Sequence, residues 1–161
     1  MFDGLPANIT MANDLGAKIN LEDLKNFFEH PTNKKLVYII LDVCHMLKLV
    51  RNLLGDYQEI WLPGFDVPVK WRHFEALNES QEELGLRSGN RLTKNHIQYG
   101  KHKMKVLFAA QLFSGSSATS MDDYRMDQFD ESIPDLKDSE TTSFFCRKID
   151  QLSIFATQEA P

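Results

Sequence analysis

Apolar positions along this chain change period several times, and each change predicts an element. Ile9, Met11, Ala12 and Leu15 keep a helical spacing over residues 8–18 that Gly16 closes, glycine being the residue that most readily takes the left-handed conformation ending a helix. Leu21, Leu24, Phe27 and Phe28 repeat that spacing before Pro31. Residues 36–41, Leu-Val-Tyr-Ile-Ile-Leu, are apolar on both faces, as a central strand covered on either side would be. Directly after Asp42, the residues Val43, Met46, Leu47, Val50, Leu53 and Leu54 recur at intervals of three and four. They predict a helix over 43–54 lying on a sheet, with Lys48 and Arg51 on its other face.

Past Gly55 the character changes. The stretch from Trp61 to Val69 is punctuated by Pro and Gly and predicts a hairpin; Trp71, Phe74 and Leu77 then start a helix with acids at Glu79, Glu82 and Glu83. This places a boundary near residues 60–70, and the chain is divided as 1–60 and 61–161. Between Arg87 and Lys105 stand six Lys or Arg (Arg87, Arg91, Lys94, Lys101, Lys103, Lys105), two His and no acid. A helical run from Met104 to Phe113 ends in the Ser/Gly/Thr cluster 114–120. Such a run reads as a cap and a flexible turn, with a phosphate cradle of backbone amides at Ser114-Gly115-Ser116-Ser117 as the functional alternative. From Asp122 to Glu140 eight acids face only Arg125 and Lys137, predicting a solvated loop or a counter-charge for the basic segment. A last helix covers about 139–155.

Composition narrows the classes. With 161 residues, 42% hydrophobic and 25% charged, the chain is globular in type, and a net charge of −5 confines any DNA-facing surface to a local patch. Cys44 and Cys146 lie far apart with no CxxC pairing and read as buried thiols of a reducing compartment. The first residues lack the basic and apolar regions of a leader, and no apolar run reaches the roughly 18 residues of a membrane helix. A soluble intracellular chain with no membrane partner is the expectation.

Asp42 is the sharpest chemical candidate, because a carboxylate at the carboxyl end of a central strand stands where open α/β sheets place ligands. Carboxylates so placed hold the Mg²⁺ ions of two-metal phosphoryl transfer, but pattern alone favours a plain cap of the next helix. His45 reads as a histidine hydrogen-bonded within the fold, since zinc needs three or four ligands at recognisable spacing. The basic segment 87–105 is suited to phosphates, and Trp71, Tyr99 or Phe108 to stacking on a base. No GxxxxGK[ST] loop occurs, so a P-loop is excluded.

The string from Tyr38 through Asp42 to Arg51-Asn52 resembles the segment around the second catalytic aspartate of P-element-type transposases and their THAP-domain relatives. Phe2-Asp3-Gly4 through Gly16 is similar to that family's third strand and first helix. Val69-Lys70-Trp71, Gly85-Leu86, Leu92-Thr93-Lys94, Lys103 to Val106, Ala109 to Ser114, Glu140 to Phe145 and Ile149-Asp150 resemble its GTP-binding insertion. The resemblance implies an α/β fold class: a partial RNase H-like segment followed by a mostly α-helical insertion domain. It implies Mg²⁺ and GTP as cofactors, transposon-end DNA and a full-length transposase as partners, and a nuclear location. Asp42 matches the middle of three carboxylates and so is the catalytic and metal residue; Val106, Ser114, Arg91 and Asp150 are the nucleotide candidates.

The family reads guanine with an aromatic-Asp-x-x-Asn element in the last helix, where one carboxylate accepts both hydrogens from the base. Aligned on Phe145 and Ile149-Asp150, those positions become Ser153, Ile154 and Thr157; a shifted register supplies Asp150 and Ser153 instead. Either way the Asn is missing, and the expectation is weak GTP binding with little preference over ATP. The other two carboxylates fall before Met1 and after Pro161, so the chain is expected to be a transposase fragment inactive by itself. The alternatives are a domesticated nucleotide- or DNA-binding module and a regulator of an intact transposase.

Overall fold

The computed structural model describes residues 5–20, 22–84, 91–126 and 133–158, with side chains through 83 and 153 in the last two helical ends. Phe2 to Gly4, Leu21, Gly85 to Arg87 and the middle of the acidic stretch lie outside the described residues. Two compact units divide between Met46 and Leu47.

In the first unit, α1 (Pro6–Asp14) opens with Pro at its first position and buries Ala12, a proline costing nothing where the amide has no helical partner. Gly16, at φ +99°, turns the chain out of it. Residues 27–29 and 36–38 form an antiparallel pair, β1 (Phe27–Glu29) and β2 (Leu36–Tyr38), with Phe27 opposite Tyr38. The helical spacing read through Phe27 and Phe28 is thereby corrected: aromatic residues fit an extended ribbon, and the turn at 30–35 brings a partner strand within reach. The central buried strand is corrected as well. Leu36, Tyr38 and Ile40 are 50%, 60% and 65% exposed, because a two-stranded ribbon gives its side chains no second layer to pack on.

Helix α2 (Val43–Tyr57) begins in the first unit and continues into the second, burying Leu47, Arg51, Leu54 and Gly55. The second unit then forms the expected hairpin, β3 (Glu59–Ile60) paired with β4 (Val69–Lys70), and α3 (Trp71–Leu84), whose Trp71, Phe74 and Leu77 are at most 2% exposed. There follow α4 (Lys94–Ile97), a 3-10 turn at Tyr99–His102, α5 (Val106–Leu112), α6 (Gly115–Met126), a second 3-10 turn at Pro134–Leu136 and α7 (Glu140–Gln158). The cluster 114–120 is therefore the start of a helix, not a flexible turn. Its Ser117, Ala118 and Ser120 are buried, and small side chains of this kind let α6 pack closely against α7. The core is the meeting of α3, α5, α6 and α7, marked by edge-on rings of Phe74 on Phe113 and Phe113 on Phe145.

The described ion pairs of the acids from 122 onward are with residues outside the basic segment. Asp122 takes Arg125 and Arg147, Asp135 takes Arg72, and Asp138 takes Lys70 and His73; they pin α3, α6 and α7 together. Burial alone would raise the Asp122 carboxyl, but hydrogen bonds from Arg147 and Ser143 outweigh it and hold the group below the usual carboxylate range. Cys146 is buried as expected, and burial pushes its thiol up well beyond the ordinary range; Cys44 is exposed, a correction that follows from its place on the first turn of α2. No described helix is long and apolar enough to cross a membrane.

Candidate nucleotide site

Ser114 sits at the corner between α5 and α6. Its hydroxyl donates to the carbonyl of Gln111 at 2.9 Å and accepts the amide of Ser117 at 3.3 Å, so one side chain serves the end of one helix and the start of the next. Ser117 donates to the same Gln111 carbonyl at 3.0 Å. Gly115, the first residue of α6, donates its amide to Asp150 Oδ2 at 3.1 Å. A carboxylate there faces the positive end of a 12-residue helix, which stabilises it. A Cβ on Gly115 would itself lie 3.1 Å from that oxygen, so glycine lets Asp150 approach the backbone. Three residues on along α7, Ser153 Oγ donates to the Asp150 carbonyl at 2.8 Å.

Ser114 and Asp150, two of the four nucleotide candidates, are thus neighbours. Val106 opens α5, half-buried, at the far end of a seven-residue helix, roughly 10 Å away along the axis at 1.5 Å per residue. Arg91 is exposed, with no described contact to any of the other three. The aromatic candidates divide. Trp71 is 2% exposed, against Phe74 and Tyr99, so it is a core residue and unavailable to a base. Tyr99 lies on Trp71 and donates to Asp56 at 2.8 Å, while Phe108 is half-buried among His96, His102 and Lys105. His96, which is 3% exposed, accepts the Thr93 amide at Nδ1 and faces Gln111 Oε1 with Nε2 at 2.9 Å; it ties α4 to α5.

Asp42 caps α2. Its Oδ1 accepts the amides of Cys44 at 2.9 Å and His45 at 3.3 Å. The exposure of residues 36–41 removes the buried central strand on which its placement at a metal site was reasoned. Among the described residues no group of three or more His, Cys, Asp or Glu is arranged to hold a metal ion, so this donor set does not fit a pair of Mg²⁺ ions.

Arg51, expected on the face of its helix away from the sheet, is wholly buried. Its guanidinium donates to the carbonyls of Lys103 at 2.7 Å, His102 at 3.1 Å and Lys105 at 3.4 Å, and twice to Asn52 Oδ1. A charged residue on a helix is ordinarily solvated, and the three backbone acceptors that bury this one come from more than 50 residues away; no periodicity could have announced them.

Three comparisons bear on this geometry. The human DNA transposase THAP9 is 31% identical over 122 residues, 74% of this chain and 13% of that protein. The Drosophila melanogaster transposable element P transposase is 28% identical over 123 residues, 70% of this chain and 16% of that protein. The chain therefore spans less than a fifth of the length of these curated relatives. A solved Drosophila P element transposase strand transfer complex shares its fold with a TM-score of 0.71 over 90% of this chain and 30% of that one, at 23% identity. Residues 44–158 match the family described as TNP-like, GTP-binding insertion domain, and the chain belongs to that family.

Proposed function

We propose that this chain is the nucleotide-holding insertion of a P-element-like DNA transposase, preceded by a piece of the RNase H-like domain, and that it performs no strand chemistry by itself. The observation that carries the nucleotide reading is the hydrogen bond from the amide of Gly115, the residue after Ser114, to the Asp150 carboxylate at the α5–α6 corner. Ser114 is a nucleotide position by resemblance, so a carboxylate beside it favours the shifted register, in which Asp150 reads guanine and Ser153 stands in place of the Asn. An ionised carboxylate has about four lone-pair sites. Accepting the Gly115 amide leaves Asp150 with capacity for the N1 and N2 hydrogens of guanine.

A preference for GTP over ATP then survives, reduced by the missing Asn. GTP, when bound, supplies a polyanion and a purine edge; the chain supplies the corner hydroxyl, the carboxylate and, at the other end of α5, the exposed Lys103 and Lys105. Transposon-end DNA and a full-length transposase as partners, and the nucleus as the place, belong to this same reading of the chain as part of a DNA transposase. Thermal unfolding with millimolar nucleotide tests the reading, because a ligand that binds only the folded state raises its stability by mass action: GTP should raise Tm more than ATP, and equal shifts or none would refute it.

A second reading, a DNA-binding module, is favoured by one observation: Arg91, Lys94, Lys101, Lys103 and Lys105 are all exposed. Its mark is an affinity for duplex DNA that falls steeply as salt rises.

A further inference from the structure

We propose that Arg51 is a positioning residue for the nucleotide site, fixing the backbone of residues 102–105 that presents Lys103, Lys105 and Val106 to the bound phosphates. This rests on the nucleotide-binding reading above. Arg51 is 0% exposed, yet none of its hydrogen-bond partners among the described residues is a carboxylate. A buried cation ordinarily takes an anionic partner; this one is held by three carbonyls of one short segment and by Asn52. The carbonyls of His102, Lys103 and Lys105 are turned inward to the guanidinium, while the Lys103 and Lys105 side chains are exposed.

The 3-10 turn that leads into this segment is pinned to α2 as well. Gly55, one turn along α2 from Arg51, lies against the Tyr99 ring, and Asp56 accepts the Tyr99 hydroxyl. Charge around the segment is one-sided. Burial lowers the His102 pKa, as do Lys105, Lys101 and Arg51, and the described acid facing these groups is Asp56, 3.6 Å from Lys103. The arrangement leaves a surplus of positive charge that a nucleotide's phosphates would offset. The planar fork of arginine is what permits several carbonyls to be held at once; a lysine ammonium is a compact point charge on a flexible stem and cannot span them.

The test uses the full chain, GTP as probe, and the variants Arg51→Lys, Arg51→Met and Leu136→Ala. Leu136 is 1% exposed in the second 3-10 turn and serves as a control for lost stability alone. Calorimetric titration below every variant's Tm should show both Arg51 variants weakened by about tenfold or more, and Leu136→Ala unchanged. Hydrogen exchange should show the 102–106 amides faster in Arg51→Lys without nucleotide and slowed again when GTP saturates. If Arg51→Met does not fold, Arg51→Lys decides. GTP bound by Arg51→Lys as by the unsubstituted chain, or a loss no larger than that of Leu136→Ala, overturns the proposal while leaving the functional reading intact. No GTP binding by the unsubstituted chain overturns the functional reading first, and this proposal with it.

Discussion

Replacing Gly55 by alanine sets two effects of opposite sign against each other. Alanine in a helix interior is favoured over glycine by about 1 kcal/mol, and Gly55 lies inside α2 with an ordinary helical backbone. A Cβ there, however, would stand 2.5 Å from two carbons of the Tyr99 ring and 2.8 Å from a third, where carbon atoms prefer about 3.5–4.0 Å. The ring must retreat by about 1 Å. In doing so it weakens its edge contact with Trp71, now 5.0 Å between centroids, and its 2.8 Å hydrogen bond to Asp56. An aromatic pair contributes about 0.5–1.5 kcal/mol and overpacking typically costs about 1–3 kcal/mol. Subtracting the helical gain from the sum of these costs leaves Gly55→Ala about 0.5–3.5 kcal/mol less stable. Urea unfolding followed by circular dichroism measures it. Gly55→Ala in a Tyr99→Ala background should show no such loss. A single Gly55→Ala variant that is more stable by the full propensity gain would refute the packing argument.

Two further predictions concern the buried His73 and the helix cap Asp42. Burial outweighs the pull of Asp138 and lowers the His73 pKa below its ordinary 6.5, and the hydrogen bonds from Thr142 at 2.6 Å and to Asp138 at 2.9 Å suit a neutral ring. As pH falls through about 6.5, the unfolded chain takes up a proton that the folded chain refuses, so stability drops until the depressed folded value is reached. Urea titrations between pH 7.5 and 5 should show this slope flattened in His73→Gln, and an unchanged slope would contradict it. Asp42→Ala removes the α2 cap and should cost about 1 kcal/mol, whereas neither that variant nor the unsubstituted chain should nick or join transposon-end DNA with Mg²⁺ or Mn²⁺. Metal-dependent cleavage lost in Asp42→Ala would show that the cap is also a metal ligand.

The stripes of α2 and α3, the hairpin between Glu59 and Lys70, and the last helix are legible because each is a local signal, apolar spacing in the helices and Pro/Gly punctuation in the hairpin. The buried face of α2 was legible in Leu47 and Leu54 but not in Arg51, whose partners are backbone carbonyls of a distant loop. The start of α6 was hidden by serines, which favour caps and turns on their own and here are buried by α7. Residues 36–41 carry the pattern of a buried strand, but among the described residues β1 is the one strand paired with them. At the site, Ser114 and Asp150 come from the family resemblance, and sequence alone leaves the register of α7 open; the Gly115 amide on the Asp150 carboxylate is the observation behind the register proposed above.

Calorimetric titration of the chain and of Asp150→Asn with GTP and ATP tests the central claim most directly. Asparagine keeps an acceptor for the Gly115 amide but cannot take both guanine hydrogens. Hydrogen bonds to a charged group contribute about 1.5–3 kcal/mol, so the unsubstituted chain should prefer GTP over ATP by about tenfold, and Asp150→Asn should bind both alike. No saturable GTP binding at millimolar concentration, or a preference unchanged in Asp150→Asn, would contradict it.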